Sequence, residues 1–157
     1  MPWLLLIEAK AHAQEKKKKK SGRVLEADAS EDCIASHGTI GAAIAEAATG
    51  LALATGAPCH LSRDTHYQMA NRFAWAWKLT ELGVPVVLVY LGFLNADEMR
   101  DKSAPLSSHA DWQQQVKAPS TPLFGVDPWE TAWACKGQSL VPLIRSASLS
   151  LSSTGVV

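Results

Sequence analysis

The chain has 157 residues, 47% of them hydrophobic and 19% charged, with 15 basic and 15 acidic side chains and no net charge. That length supports one domain with a sizeable core. The composition excludes a chain disordered throughout, and the charge balance excludes a uniformly basic surface, so any nucleic-acid contact needs a local patch.

The first organised stretch is Pro2-Trp3-Leu4-Leu5-Leu6-Ile7-Glu8-Ala9-Lys10. Side chains alternate along a strand, so Leu4, Leu6, Glu8 and Lys10 share one face and Leu5, Ile7 and Ala9 the other. Both faces start apolar, the pattern of a strand covered on both sides. The strand ends in a carboxylate and an ammonium. At a strand's C-terminal end such a pair marks either a site of an α/β protein or a strand surfacing into solvent. His12 continues the face of Glu8 and Lys10 if the strand runs on.

Residues 14–30 contain five consecutive lysines, Lys16 to Lys20, followed by Ser21 and Gly22. Like charges in a block repel, so a flexible lysine-rich loop is expected, with phosphate contact or a nuclear address as its functional reading. Glu26, Asp28 and Asp32 follow as carboxylates that a folded-back loop could bring to Glu8. Ile40, Ala43, Ile44, Ala47 and Leu51 fall at helical spacing, with Ser36 or Thr39 as N-cap and Gly56 as the stop. An anion site at the Ser36–Thr39 end is the functional alternative to simple capping.

A second helix is expected from Asp64 or Thr65 to about Leu82, stopped by Gly83 and Pro85. Met69, Ala70, Phe73, Ala76 and Trp77 form one apolar stripe. Gln68, Asn71, Arg72, Trp75 and Leu79 lie opposite, facing a second packing surface or a cleft. Val84 to Leu91 is β-branched and continuous, a fully buried strand parallel to the first. Asn95-Ala96-Asp97-Glu98 resembles a capping box. Ser108 and Asp111 open a short helix to about Val116, ended by Pro119. Asp127-Pro128-Trp129-Glu130 is the strongest helix start in the chain, and it would place Trp129 and Trp133 on one face, for the core or for base stacking. Leu140 to Ile144 adds an edge strand. The expected organisation is one α/β domain over residues 1–145, a mixed sheet flanked by helices, with a disordered serine-rich tail at 146–157.

Cys33, Cys59 and Cys135 are far apart and odd in number, which supports neither a zinc framework nor a disulfide set and fits a reducing cytosol. The Leu4–Ile7 run is too short for a signal peptide, and no stretch of about 18 apolar residues suggests a membrane span. A cytoplasmic location is expected.

The opening Trp-Leu-Leu-Leu-Ile-Glu-Ala-Lys-Ala-His, with Tyr67-Gln68-Met69-Ala70-Asn71-Arg72 later, resembles bacterial proteins of the PD-(D/E)XK, or restriction-endonuclease-like, nuclease fold. The resemblance runs from Trp3 to about Arg145. It implies a partial core of that fold and a metal-dependent nuclease hydrolysing phosphodiesters of DNA. Glu8 would bind Mg²⁺ or Mn²⁺, Lys10 would assist the attacking water, and Gln68 would be presented toward them from the following helix. That fold ordinarily places a helix and two strands, one with a further acidic ligand, before Glu-x-Lys, whereas only Met1 and Pro2 precede this strand. Weak metal binding and slow or absent cleavage are therefore expected. The alternative is a non-catalytic α/β domain that binds nucleic acid or protein.

Overall fold

The computed structural model describes residues 2–11, 25–96 and 104–148. Strand β1 (Leu4–Lys10) pairs in parallel with β2 (Val86–Leu94), setting Leu4 beside Val86 and Lys10 beside Gly92. The two apolar runs foreseen as strands are thus parallel neighbours. Strand β4 (Gln138–Ser148) lies parallel on the far side of β2, and the short β3 (Trp133–Cys135) runs antiparallel beyond it. The order β1-β2-β4-β3 makes a mixed four-stranded sheet. Parallel neighbours need long crossovers. Helices α1 (Glu31–Thr55) and α2 (Tyr67–Glu81) lie between β1 and β2, and α3 (His109–Ser120) between β2 and β3.

Helix α1 begins earlier than its periodicity suggested. Ser30 is the N-cap, its hydroxyl accepting from the Cys33 amide at 3.3 Å, with Glu31 and Asp32 suited to the positive first turn. Thr39 is no cap: its hydroxyl donates back to the Ala35 carbonyl inside the helix. Gly56, at φ 68°, ends the helix as expected. Helix α1 is long and apolar enough to cross a membrane by length and composition alone, but His37, Thr39, Glu46 and Thr49 interrupt it, so it holds no run of about 18 apolar residues, as the sequence indicates. Its buried residues Ile44, Ala47, Ala48 and Leu51 belong to the core. Trp77 of α2 lies against Gly50, where a Cβ would overlap its indole ring. Helix α2 is capped by His66 in a left-handed conformation rather than by Asp64 or Thr65. Asp64 instead accepts from the side chain of Arg63.

Phe73 is fully buried among Phe124, Trp129 and Trp133, with ring centroids 4.7, 5.6 and 6.1 Å away. The stripe Met69, Ala70, Phe73, Ala76 and Trp77 is therefore core. Helix α3 starts at the Ser108 cap, as expected, but runs on to Ser120 with Pro119 in its last turn. A proline there removes only one helical hydrogen bond. Trp112 of α3 donates from its indole to the Tyr90 carbonyl at 3.0 Å and rests on Gly92, where a Cβ would meet the ring at 2.7 Å.

The Asp127-Pro128-Trp129-Glu130 start signal does not begin a helix. The Asp127 carboxylate does accept from the Trp129 amide, at 3.1 Å. Glu130 then turns left-handed, at φ 62°, and its amide donates to the Pro142 carbonyl of β4. Its carboxylate takes the Ile144 amide and the Arg145 guanidinium. Pairing with β4 wins over the local cap, and Trp129 and Trp133 reach the core from a turn and a strand. Nor is β4 an edge strand. It is longer than expected, lies inside the sheet and includes residues 146–148 of the anticipated tail.

The largest departure concerns coverage. Val86, Leu88, Tyr90, Leu140 and Ile144 share one face and join residues of all three helices in a single core. On the other face Leu5 and Ile7 are exposed, and Val87, Leu91, Phe93, Val141 and Leu143 are half-buried. Among the described residues no helix covers that face. Strand β1, read as covered on both sides, is an edge strand with one face open, because apolar sequence shows what a strand can bury and not what lies against it. Residues 25–30, within the expected loop, form neither helix nor strand. His12, Lys16–Lys20, the Asp97-Glu98 part of the capping-box signal and residues 149–157 lie outside the described residues.

Candidate functional site

Alternation along β1 puts Glu8 and Lys10 on the helix-covered face, as the sequence indicated. Lys10 Nζ lies 3.0 Å from Glu8 Oε1. From above, Arg72 of α2 donates through Nε to Glu8 Oε2 at 2.7 Å. Each carboxylate oxygen thus faces a cation. The Glu8 side chain is 11% exposed and Lys10 10%, while Arg72 is 38% exposed, so the guanidinium roofs the pair and meets solvent.

Burial works to raise the Glu8 pKa, but the hydrogen bonds and charges of Arg72 and Lys10 outweigh it, and the carboxyl is held below its ordinary value of 4.5. The carboxylate therefore stays ionised and the trio carries one net positive charge. Among the described residues no second acid acts on Glu8. Glu26, Asp28 and Asp32 stand exposed at or before the start of α1.

Tyr90 lies beneath this trio, its Cα in register with that of Glu8. Its ring meets Trp129 edge-on, with centroids 5.1 Å apart. Burial, and then the negative charge of Glu8, push its phenol well above the ordinary tyrosine range, so it stays protonated. Among the described residues its buried hydroxyl has no hydrogen-bond partner. Neither Arg72 nor Tyr90 was assigned a site role from sequence. The signal for Arg72 was its place one turn after Gln68, and for Tyr90 the register that parallel pairing imposes.

Gln68, the helix residue expected beside Glu8, is half-buried one turn before Arg72 on the same flank of α2, and the contact to Glu8 is made by Arg72. A divalent ion prefers several hard oxygen ligands. Here one carboxylate is shared between two cations, which fits a magnesium ion poorly. Among the described residues no group of three or more His, Cys, Asp or Glu side chains is arranged to hold a metal.

The arrangement can meet an anion. Arg72 is anchored through Nε alone, which leaves the donors of its terminal amino groups unused among the described residues. Comparison of the chain with family models, with characterised proteins and with solved structures returns no match.

Proposed function

We propose that this chain is a nuclease-like α/β domain that contacts the phosphodiester backbone of DNA without efficient cleavage. The carrying observation is the anchoring of Arg72 through Nε on a side chain 38% exposed, with Lys10 bound to the other oxygen of the same Glu8 carboxylate. A planar guanidinium held at one edge is pre-organised to grip phosphate with its free nitrogens. The Gln68 amide, one turn away, adds a neutral donor. Lys16–Lys20 follow β1 closely in sequence and extend the basic character that a backbone contact requires. The resemblance of the Glu8-Ala9-Lys10 strand end to the PD-(D/E)XK pattern supports a restriction-endonuclease-like ancestry and a cytoplasmic setting. The engagement of Glu8 by both cations supports weak Mg²⁺ or Mn²⁺ affinity, since an ion would have to displace Lys10 or Arg72.

The test is fluorescence anisotropy of a labelled DNA duplex over a salt series, with a cleavage assay in Mg²⁺ and in Mn²⁺. Binding should weaken with salt, Arg72→Ala should weaken it and lower the salt slope by about 1, and Lys10→Ala, which removes a largely buried charge beneath Arg72, should weaken it less. Arg72→Lys, which keeps the charge and loses the fork, should bind better than Arg72→Ala. Affinity indifferent to all three would refute the assignment. Rapid metal-dependent cleavage abolished by Glu8→Ala would restore Glu8 as a metal ligand and Lys10 as its catalytic partner.

A further inference from the structure

Strand β1 ends the sheet, and its outer edge has no partner among the described residues. The Leu4 amide donates to the Pro85 carbonyl at 2.9 Å, so even-numbered residues of β1 turn their backbone groups toward β2. In a parallel pair the intervening residues then present theirs outward. Leu5, Ile7 and Ala9 therefore offer an open ladder. Natural edges are commonly blunted by lysines, prolines or inward charges. Here Glu8 and Lys10 are held on the helix-covered face by each other and by Arg72. What remains along the edge is apolar on both sides.

On the open face Trp3, Leu5 and Ile7 are each more than half exposed. On the helix face the exposed apolar groups nearest β1 in this arrangement are Leu4 of the strand itself and Trp75 and Leu82, on the flank of α2 from which Arg72 reaches β1, while Ile34 and Leu53 are exposed on α1. Trp75 and Leu82 follow Arg72 by 3 and 10 residues, within about 80° of the same side of the helix. Each Trp leaves roughly 100 Å² of the ~150–250 Å² an aromatic side chain can bury. With the leucines, Ile7 and the strand edge, the surface approaches the ~600 Å² per partner at the low end of specific interfaces.

We infer that a second copy of this chain covers this edge, through antiparallel pairing of β1 with β1 about a two-fold axis at Leu6. The sequence is self-complementary in that register. On the open face Leu5 lies opposite the other copy's Ile7, and Trp3 opposite its Ala9, large against small. All four positions belong to the outward-facing set, so they form the hydrogen-bonded pairs of the new ladder. Isologous contacts require this kind of self-match. A formal net charge of zero means the copies do not repel as whole bodies. The pairing would join the two sheets into one of eight strands and is independent of the DNA-contact proposal.

Sedimentation equilibrium over a concentration series tests it. The wild-type chain should approach twice its monomer mass, and Leu5→Lys or Ile7→Lys, with unchanged circular dichroism, should remain monomeric. Leu53→Lys, at an exposed site on α1, should dimerise like the wild type. Independently, in a Cys33→Ser background, Leu6→Cys should form an intermolecular disulfide at position 6 on oxidation, mapped by mass spectrometry. Ala9→Cys should not, because in this register the two copies of residue 9 lie six positions apart. A monomer at millimolar concentration, a dimer that survives both lysine variants, or cross-linking through position 9 rather than position 6 would overturn the inference.

Discussion

Arg72 on α2 donates to Glu8 on β1 across 2.7 Å, joining residues 64 positions apart in sequence. This bond ties α2 to the exposed edge of the sheet and sets the charge of the candidate site. Arg72→Ala would leave a half-buried carboxylate with Lys10 still beside it. The expected loss of stability is about 1–3 kcal/mol, nearer the lower figure because the arginine meets solvent. Chemical denaturation measures it, and an unchanged midpoint would show that the pair is energetically idle.

The same carboxyl makes stability depend on pH. Its pKa is below 4.5 in the folded chain, so its contribution is fully present above the ordinary carboxylate value and is lost as pH falls through the depressed one. Asp127 and Glu130 are also depressed, so the informative quantity is a difference between variants. The wild type should outlast Glu8→Gln at neutral pH, and the gap should close as pH drops below about 4.5. Parallel stability curves for the two proteins would contradict the geometry.

Phe73 sits where α2, Phe124, Trp129 and Trp133 meet. Removing its ring leaves a cavity that four separate segments must close over. Phe73→Ala should cost roughly 3–5 kcal/mol. A denaturation midpoint within error of the wild type would mean the aromatic cluster can collapse without it.

Two glycines of α1 should respond in opposite directions to the same change. Gly38 has open space where a Cβ would stand, so Gly38→Ala should stabilise by about 0.5–1 kcal/mol through helix propensity. At Gly50 a Cβ would meet the Trp77 indole, and Gly50→Ala should destabilise by about 1–3 kcal/mol. Thermal melts of the two variants settle the contrast. Equal shifts would place Trp77 away from α1.

The chain's own pattern determined which segments could bury themselves. The β-branched run before Leu91 and the apolar run before Glu8 are strands because their side chains suit a pleated surface, and the stripe from Met69 to Trp77 is core because its spacing matches a helix turn. Alternation alone also put Glu8 and Lys10 on one face. Local signals failed where distant partners competed with them. Asp127-Pro128 carries a helix cap, yet the Glu130 amide and carboxylate go to β4, a partner invisible within a short window. Arg72 and Tyr90 joined the site through packing and strand register, neither of which has a sequence signature. Tertiary structure alone decided which apolar face was covered. Leu5 and Ile7 are as hydrophobic as Leu88 and Ile144, but burial depends on what packs against a surface, and the helices pack on the other side.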